Sequence, residues 1–514
     1  MTTRRCVAPA WFAGTGLFLS LATFAGAPRA PDAHAGHDVG RVPFPVSCTP
    51  PARVAFEHAA ALLHHMTYPQ ARTEFEAVLA EDPKCAMAHW GVAMTLFQPL
   101  WPTRPDLAER TQGWQAVQHA RALAPPTARE RMFIDTTAAF FEDPASEDYW
   151  ARIRRWEAAT QRLHAAFPDD NEATAFFALS HLATTPADKA SREHADASAA
   201  LLMQVLADAP DHPGAMHYLV HANDVPGRER ESIDVTRRYE SVAPDNPHAL
   251  HMPTHVYTRL GDWEGVVRGN LRAADAALRY PAGERGEYVW DEFPHAIEYL
   301  LYAYLQQGNV ADAVAQRDRL ARTQALQPSF KTAFHLASTQ ARIPLETRDW
   351  KTAAAIVPAQ PKGVDWQKFP WPEAIGWFAH GMGASHVDRH EDAAAGLARL
   401  SALEANATAS KEILFARNIR VLRLELDAAI ADAEGRDDIA LSRLREAAAL
   451  EAATPKHPVT PGPIVPAEEW LGEFLRAHGD EAGALAAYRR SLAQYPNRRN
   501  AVRAVAELEG KGPG

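Results

Sequence analysis

The chain contains very little cysteine, three residues among 514, and none of them form a C-x-x-C pair. Cys6 lies close to the N-terminus, so only Cys48 and Cys85 remain in the body of the chain. Two cysteines without C-x-x-C spacing predict a single disulfide, formed in an oxidising compartment. The alternative is that both thiols are free and buried.

Clusters of basic residues are also missing: the formal net charge is -11, and no run is rich in Lys or Arg. Affinity for nucleic acid rests largely on basic side chains that neutralise phosphates, so nucleic acid is not expected as a partner. The sequence has no Walker loop and no G-x-G-x-x-G, and therefore no sign of ATP- or NAD-driven chemistry. No Ser-His-Asp or Cys-His pattern indicates a nucleophilic enzyme.

A long apolar run occurs only near the N-terminus. Arg4 and Arg5 precede a mainly apolar, charge-free stretch at 7–28, and "AHA" at 33–35 offers a small-x-small cleavage site. These features predict a signal peptide over residues 1–35, a periplasmic or secreted mature protein, and no membrane span after cleavage. An uncleaved membrane anchor is the alternative.

What the sequence does have is a repeated spacing of histidines. "HYLVH" contains His217 and His221, "HMPTH" contains His251 and His255, and corresponding histidines are 34 residues apart. A 34-residue period with paired amphipathic helices is typical of tetratricopeptide repeats. Small, aromatic and proline residues recur in the expected order at Tyr68, Ala71, Phe75 and Pro83, and again at Gly479, Asp480, Ala484, Tyr488 and Pro496.

On these residues the chain resembles the tetratricopeptide repeat family over most of 52–498. The resemblance implies an all-α fold, an α-solenoid in which helix pairs form a right-handed superhelix with a concave, ligand-binding groove. No strand pattern competes with this interpretation. The clearest predicted units are 52–85, 213–246, 247–280, 294–327 and 465–498, between a leading segment at 36–51 and a C-terminal tail at 499–514.

The histidine pairs are predicted to come together. Residues four apart share one face of a helix, and equivalent positions of stacked repeats point the same way, so the four imidazoles should form a two-by-two cluster. In the family that the chain resembles, this side of the helix lines the groove, and His248 and His295 fall on it too. Imidazole is the commonest metal ligand. The predicted ligands of a divalent transition metal (zinc, copper or iron) are His217, His221, His248, His251, His255 and His295.

Other residues near the histidines have candidate roles. Neither pair is H-E-x-x-H, so the zinc-protease signature is absent. Glu298 or Asp224 is the candidate proton carrier or orienter of a ligand, and Tyr302 is a candidate hydrogen-bond donor, with Asp224 and Tyr302 at the rim of the groove. Pro253 lies inside the second pair, where it either kinks the helix or starts it.

Histidines outside this region are expected to matter less. His64, His65 and His89 are predicted to be structural. His457 could approach the groove only if the superhelix curls through nearly a full turn. Trp101, in a proline-rich loop, is expected to anchor that loop rather than bind a ligand.

Two classes of function remain. The leading hypothesis is a metal-dependent enzyme or metal-binding protein that acts on a small molecule or peptide outside the cytoplasm. In the competing hypothesis the imidazoles bind no metal, and the groove is a scaffold that binds a peptide or protein segment. Fold alone does not decide between them.

Overall fold

The computed structural model describes residues 37–101, 104–186, 190–283 and 285–510. The predicted signal peptide at 1–35 lies outside the described residues. Within them the chain is helical nearly throughout, which confirms the all-α prediction. No helix in these ranges is both long enough and apolar enough to cross a membrane.

The helices follow one another with short connections. The first eight are α1 Pro50–His64, α2 Tyr68–Glu81, α3 Ala86–Met94, α4 Leu107–Ala122, α5 Ala128–Phe141, α6 Tyr149–Ala166, α7 Asn171–Ala183 and α8 Ser191–Asp208. The next eight are α9 Pro213–Asn223, α10 Ile233–Val242, α11 Pro247–His251, α12 Pro253–Leu260, α13 Trp263–Ala277, α14 Glu292–Gln307, α15 Val310–Arg322 and α16 Phe330–Thr347. The last eight are α17 Trp350–Ala354, α18 Pro370–His386, α19 His390–Ala409, α20 Ile413–Ala433, α21 Asp437–Ala452, α22 Ala467–Ala477, α23 Glu481–Gln494 and α24 Arg499–Leu508.

Two short elements interrupt the helices. A 3-10 turn spans Trp366–Lys368. Strands β1 Pro281–Ala282 and β2 Tyr288–Val289 form a small antiparallel hairpin, in which Pro281 pairs with Val289.

The helices form two rows. One row, here called the inner row, contains α7, α9, α11 with α12, α14, α16, α18, α20 and α22, and each member packs beside the next. The helices between them in sequence pack on the members that they connect. The five clearest predicted units correspond to α1 with α2, α9 with α10, α11 and α12 with α13, α14 with α15, and α22 with α23.

Turn chemistry explains the repeated joints between paired helices. Gly261 and Gly308 follow α12 and α14 with φ of 67° and 78°, a left-handed conformation that glycine adopts without strain. The side chains of Asp262 and Asn309 then accept a hydrogen bond from the first turn of the following helix. The sequence Gly-Asp or Gly-Asn therefore ends one helix and starts the next.

Pro253 divides the second histidine pair between two helices. α11 ends at His251, and α12 begins at Pro253, where the missing N–H costs no helical hydrogen bond. Met252, between them, keeps helical dihedral angles. Of the two alternatives for Pro253, the structure shows that it starts a helix.

Segments distant in sequence fold onto the inner row. α1 packs against α9, and α24, which lies within the predicted C-terminal tail, packs against α14. The connection 454–466 reaches the same row, because Arg342 donates to the carbonyl of Pro463 and the Tyr299 hydroxyl donates to the carbonyl of Thr460.

The predicted disulfide is confirmed. Cys48 is bonded to Cys85, which joins the leading segment to the start of α3. This holds α1 near its neighbours in the first repeat. Farther along, Gly214 allows α9 to approach α1, since a Cβ at this position would lie 2.2 Å from Nδ1 of His64.

Candidate metal centre

The six predicted histidine ligands lie side by side on the inner row. α9, α11, α12 and α14 carry them, His221 is 8% exposed, and each of the others is at most 1% exposed. They are therefore inside the protein, whereas the sequence predicted the wall of an open groove. The difference arises because remote segments cover them: the Trp101 ring lies 5.6 Å from His295 and 6.0 Å from His248 between centroids.

The first group consists of His217, His221 and His248. Nε2 of His217 lies 3.1 Å from Nε2 of His221 and 3.0 Å from Nε2 of His248. One ligand atom from each residue lies within 4.8 Å of the other two. Two nitrogens bound tetrahedrally to one ion at about 2.0–2.1 Å are about 3.3 Å apart, so only small side-chain shifts separate this group from a coordination shell.

In two of these rings, an acceptor at Nδ1 fixes which nitrogen carries the proton. Nδ1 of His217 lies 2.6 Å from the carbonyl oxygen of His64, and Nδ1 of His248 lies 2.9 Å from the carboxylate of Glu292. Both partners only accept, so both Nδ1 atoms carry hydrogen. In neutral rings the two Nε2 atoms then hold lone pairs that face each other, unless a cation or an added proton lies between them.

The second group consists of His251, His255 and His295, again with one ligand atom from each within 4.8 Å of the others. Nε2 of His251 lies 3.0 Å from Nε2 of His255. Nε2 of His295 is buried and has no hydrogen-bond partner within the described residues. The His251 and His295 ring centroids are 4.2 Å apart.

The outward nitrogens of the second group are also held by acceptors. Nδ1 of His251 donates to Oδ1 of Asn270 at 2.7 Å, and the Asn270 amide nitrogen donates to the Val266 carbonyl, which fixes the orientation of the amide. Nδ1 of His255 donates to Asp224 at 2.8 Å. The Nε2 atoms of both neutral rings are therefore lone-pair donors directed toward the same point.

The Nδ1 proton of His295 is held by two successive hydrogen bonds, through His335 to Glu298. His335 donates its Nδ1 proton to Glu298. In a neutral His335 ring, Nε2 is then an acceptor and receives the Nδ1 proton of His295 at 2.9 Å. Nε2 of His295 is left with a free lone pair. Metal-binding histidines commonly donate their second N–H to a carboxylate or carbonyl in this way, which fixes the tautomer and makes the ligand more basic.

The two groups adjoin each other. The ring centroids of His221 and His255 are 6.0 Å apart, and those of His248 and His251 are 6.1 Å apart. The structure thus brings all six predicted ligands together, as two neighbouring groups of three.

Burial favours the neutral form of five of these rings. Loss of solvent lowers the pKa of His217, His221, His251 and His295 well below the ordinary value, and neighbouring histidines lower it further. Desolvation also lowers the pKa of His255, to about 4, although Asp224 opposes the change. Neutral imidazole is the form that binds metal.

The predicted candidate Asp224 lies beside the second group. Its carboxylate accepts from Nδ1 of His255, from Nε of Arg259 at 2.9 Å and from Nζ of Lys456 at 2.6 Å. Burial alone would raise the pKa of Asp224, but Lys456 and Arg259 outweigh it and hold the pKa far below its usual range. Asp224 is therefore an ionised acceptor that orients His255.

The predicted candidate Glu298 acts on the second group through an intervening residue, His335. It accepts from His335 and from Nε of Arg342 at 2.9 Å, and it is fully buried. Burial would raise the pKa of Glu298, yet Arg342 and His335 lower it below the ordinary value. Glu298 touches none of the six rings by hydrogen bond, and it positions His295 through His335.

The third candidate, Tyr302, lies apart from the histidines. It is buried rather than at a rim, its hydroxyl accepts from Arg498 at 3.2 Å, and its ring packs on Trp263. Tyr299, one turn earlier, takes the place beside the second group. Its ring centroid is 4.7 Å from that of His251, and its hydroxyl is 3.3 Å from Nδ1 of His255.

Sequence reasoning missed four partners of the site: Glu292, Asn270, His335 and Lys456. Glu292 precedes His295 by three residues on α14, a spacing that indicates a shared face. His335 follows His295 by 40 residues, outside the 34-residue register, so the periodicity could not reveal it. Lys456 comes from the proline-rich connection, and no local pattern in the sequence places it near Asp224.

A third buried group, Glu172 with His64 and His212, differs in its hydrogen bonding. His212 accepts from the backbone N–H of Ala215 at Nδ1 and contacts Glu172 through Nε2 at 2.9 Å. His64 contacts Glu172 at 2.8 Å, and its other nitrogen is 3.0 Å from the Tyr218 hydroxyl. Each ring nitrogen already has a partner, so no lone pairs converge, in agreement with the structural role predicted for His64.

A cavity of about 560 Å³ adjoins the first group. His221 and Asp224 belong to its lining, together with aromatic and charged residues from distant parts of the chain. Trp101, Trp150 and Phe415 supply apolar surface. His221, the most exposed of the six, is the histidine that a molecule in this cavity would meet.

No protein-family model matches the chain, and no curated protein matches it significantly. The properties of the site are therefore argued from its own geometry.

Proposed function

We propose that this chain is an exported metalloprotein in which each group of three histidines binds one divalent transition metal ion. The observation that carries the proposal is the convergence of imidazole nitrogens in each group, where five of the six rings have an outward nitrogen that faces an acceptor. A single extra proton can satisfy two facing lone pairs. A metal ion satisfies three at once, and both groups contain three rings.

The type of ligand favours some of the three candidate metals, zinc, copper and iron, over the others. Both groups present only imidazole, and the nearby carboxylates of Asp224 and Glu292 are already engaged with Nδ1 atoms and cations. Non-haem iron sites that activate dioxygen typically include a carboxylate ligand, whereas imidazole alone suits copper and zinc. Copper or zinc is therefore favoured over iron.

The proposed activity is chemistry on a small molecule. Three protein ligands leave a coordination position open on a four-coordinate ion, which is typical of catalytic rather than structural sites. The adjoining cavity reaches His221, and its walls enclose a volume suited to a small ligand rather than a folded partner. Here Asp224 and Glu298 hold ligand rings in place, directly or through His335, and a metal would supply Lewis acidity or redox capacity.

The architecture and location are part of the same proposal. Helix pairs joined by Gly-Asp and Gly-Asn turns, with a row of neighbouring first helices, support a tetratricopeptide-type solenoid. The disulfide between Cys48 and Cys85 supports an oxidising compartment, and together with the N-terminal signal pattern it supports a periplasmic or secreted protein.

The test is elemental analysis of protein produced without a His tag. We expect about two metal ions per chain after supplementation, and loss of both in a double variant, His217→Ala with His251→Ala, because each substitution removes one ligand from one group. His380→Ala is the matched control, since this part-buried histidine lies on α18, where it contacts the Ile356 carbonyl and the Trp377 ring and none of the six predicted ligands. Circular dichroism checks that helicity is retained.

Two results would contradict the proposal. One is metal that stays at trace level in the wild type even after supplementation, which would leave the scaffold hypothesis. The other is equal metal content in the wild type and the double variant. One ion per chain instead of two would restrict the proposal to a single group, and the two single variants identify which.

A further inference from the structure

A second cavity, of about 300 Å³, is also lined by the connection 454–466. α20 forms one wall, α16 and α18 contribute aromatic and aliphatic side chains, and the end of α21 contributes another edge. The lining is largely apolar and includes Phe334, Trp371, Ile375, Val421 and Ile464. None of the six histidine ligands belongs to it.

Two carboxyl groups interrupt this apolar lining. Glu425 is 1% exposed, and neither of its carboxyl oxygens has a hydrogen-bond partner within the described residues. Glu451 is 8% exposed, with the Ala467 N–H at 3.3 Å and the Tyr495 hydroxyl at 3.5 Å. Buried polar groups are nearly always paired, so the unpartnered Glu425 in a cavity wall requires an explanation.

The charge environment favours an incoming cation near Glu425. Burial raises the pKa of Glu425 well above the ordinary range, and Glu451 raises it further. The basic residues of the same cavity lie on the connection, on α12 and on α8. Lys456 and Arg259 are both paired with Asp224, and Arg192 is paired with Asp196 and Glu231. Within the described residues no basic side chain pairs with Glu425, on α20.

We propose that this cavity is a binding site for a small primary amine, with its ammonium group between Glu425 and Glu451 and its apolar body against Phe334 and Trp371. An ammonium has three N–H donors, which match the two unpartnered oxygens of Glu425 and the remaining acceptor capacity of Glu451. Ionisation of the carboxyl groups on binding would convert these contacts into charge-assisted hydrogen bonds. The apolar walls would take an aromatic or aliphatic chain. This site is independent of the metal proposal.

The experiment compares two probes of nearly the same shape, phenethylammonium and 2-phenylethanol, by isothermal titration calorimetry with the full-length protein. We expect saturable binding of the amine, at least about tenfold tighter than that of the alcohol. In Glu425→Gln, which keeps the size but cannot ionise, amine affinity should fall about tenfold while alcohol affinity stays unchanged. Glu451→Gln should weaken amine binding as well.

Several outcomes would overturn the inference. Equal affinity for amine and alcohol would show that the carboxyl groups do not recognise the ammonium group. Absence of saturable amine binding would show that the cavity is not a site for this amine. Amine binding that is unaffected by Glu425→Gln would assign the amine to another place, such as a metal ion. If Glu425→Gln does not fold, the two-probe comparison in the wild type and Glu451→Gln decides the question.

Discussion

Glu292→Gln offers the sharpest test of how the first histidine group is prepared for metal. Glu292 is fully buried, accepts the Nδ1 proton of His248 at 2.9 Å and pairs with Lys331 at 3.1 Å. Burial alone would raise the pKa of Glu292, but His248 and Lys331 hold it well below the ordinary value, so the group is anionic at neutral pH. Glutamine keeps the shape and removes the charge that makes His248 a stronger ligand.

The expected effect follows from that one contact. A hydrogen bond to a charged group contributes about 1.5–3 kcal/mol, so the ion bound by His217, His221 and His248 should bind roughly 10–100-fold more weakly. The ion of the second group should be weakened less, because its outward nitrogens are held by other acceptors and Glu292 acts on His251 through its charge alone, without a hydrogen bond. A competition titration against a chromophoric chelator resolves the two affinities.

A matched control is Glu172→Gln. Glu172 is also a buried carboxylate between two histidines, but no lone pairs converge there, so metal affinity should stay unchanged. Equal weakening by both substitutions would refute the argument from proton positions. Glu292→Gln without any effect, or with the same effect on both ions, would refute it as well.

Three further predictions concern stability. Replacement of Cys48 and Cys85 by serine opens a loop with a sequence separation of 37 and should cost about 4 kcal/mol in chemical denaturation; no change between oxidised and reduced wild type would contradict this. Burial raises the pKa of Glu451 to about 8 from an ordinary 4.5, so the folded state holds a proton that the unfolded chain releases. The free energy of unfolding of the wild type then falls between about pH 4.5 and 8. Between pH 5 and pH 9, Glu451→Gln should therefore become more stable than the wild type by about a few kcal/mol. A difference in stability that does not change with pH would disprove the pKa shift. Arg342→Met should cost about 3–5 kcal/mol in urea unfolding because it leaves the charge of Glu298 underpaired, and a loss below about 1 kcal/mol would count against that role.

Much of the helical pattern could be predicted from the sequence because its causes are local. The 34-residue interval, the Gly-Asp and Gly-Asn turns and the helix-starting prolines act within a few residues of where they occur. The predicted units that begin at 213, 247 and 294 start within two residues of α9, α11 and α14. The burial of the inner row by distant segments could not be predicted in this way. It depends on contacts such as that between Arg342 and Pro463, which lie 121 positions apart.

In the candidate site, too, the residues that follow the local repeat could be predicted and the long-range partners could not. His217, His221, His251 and His255 follow the repeat, and His248 and His295 fall on the same helix faces, so spacing alone predicted their proximity. The acceptors on their outer nitrogens are one backbone carbonyl, two carboxylates, an amide on α13 and His335, and the 34-residue period marks none of them. Trp101 was expected to anchor a loop, and the structure shows that it also covers His248 and His295.

The position of the connection 454–466 in the chain has a kinetic consequence. All six imidazoles precede it in sequence, and it supplies Lys456 against Asp224 and carbonyl groups against Tyr299 and Arg342. A protein that emerges from N- to C-terminus therefore presents the ring nitrogens before the part that shuts them in. For an ion bound as proposed, this connection would add to the barrier against escape, so residence time should depend on its contacts as well as on the bonds to nitrogen.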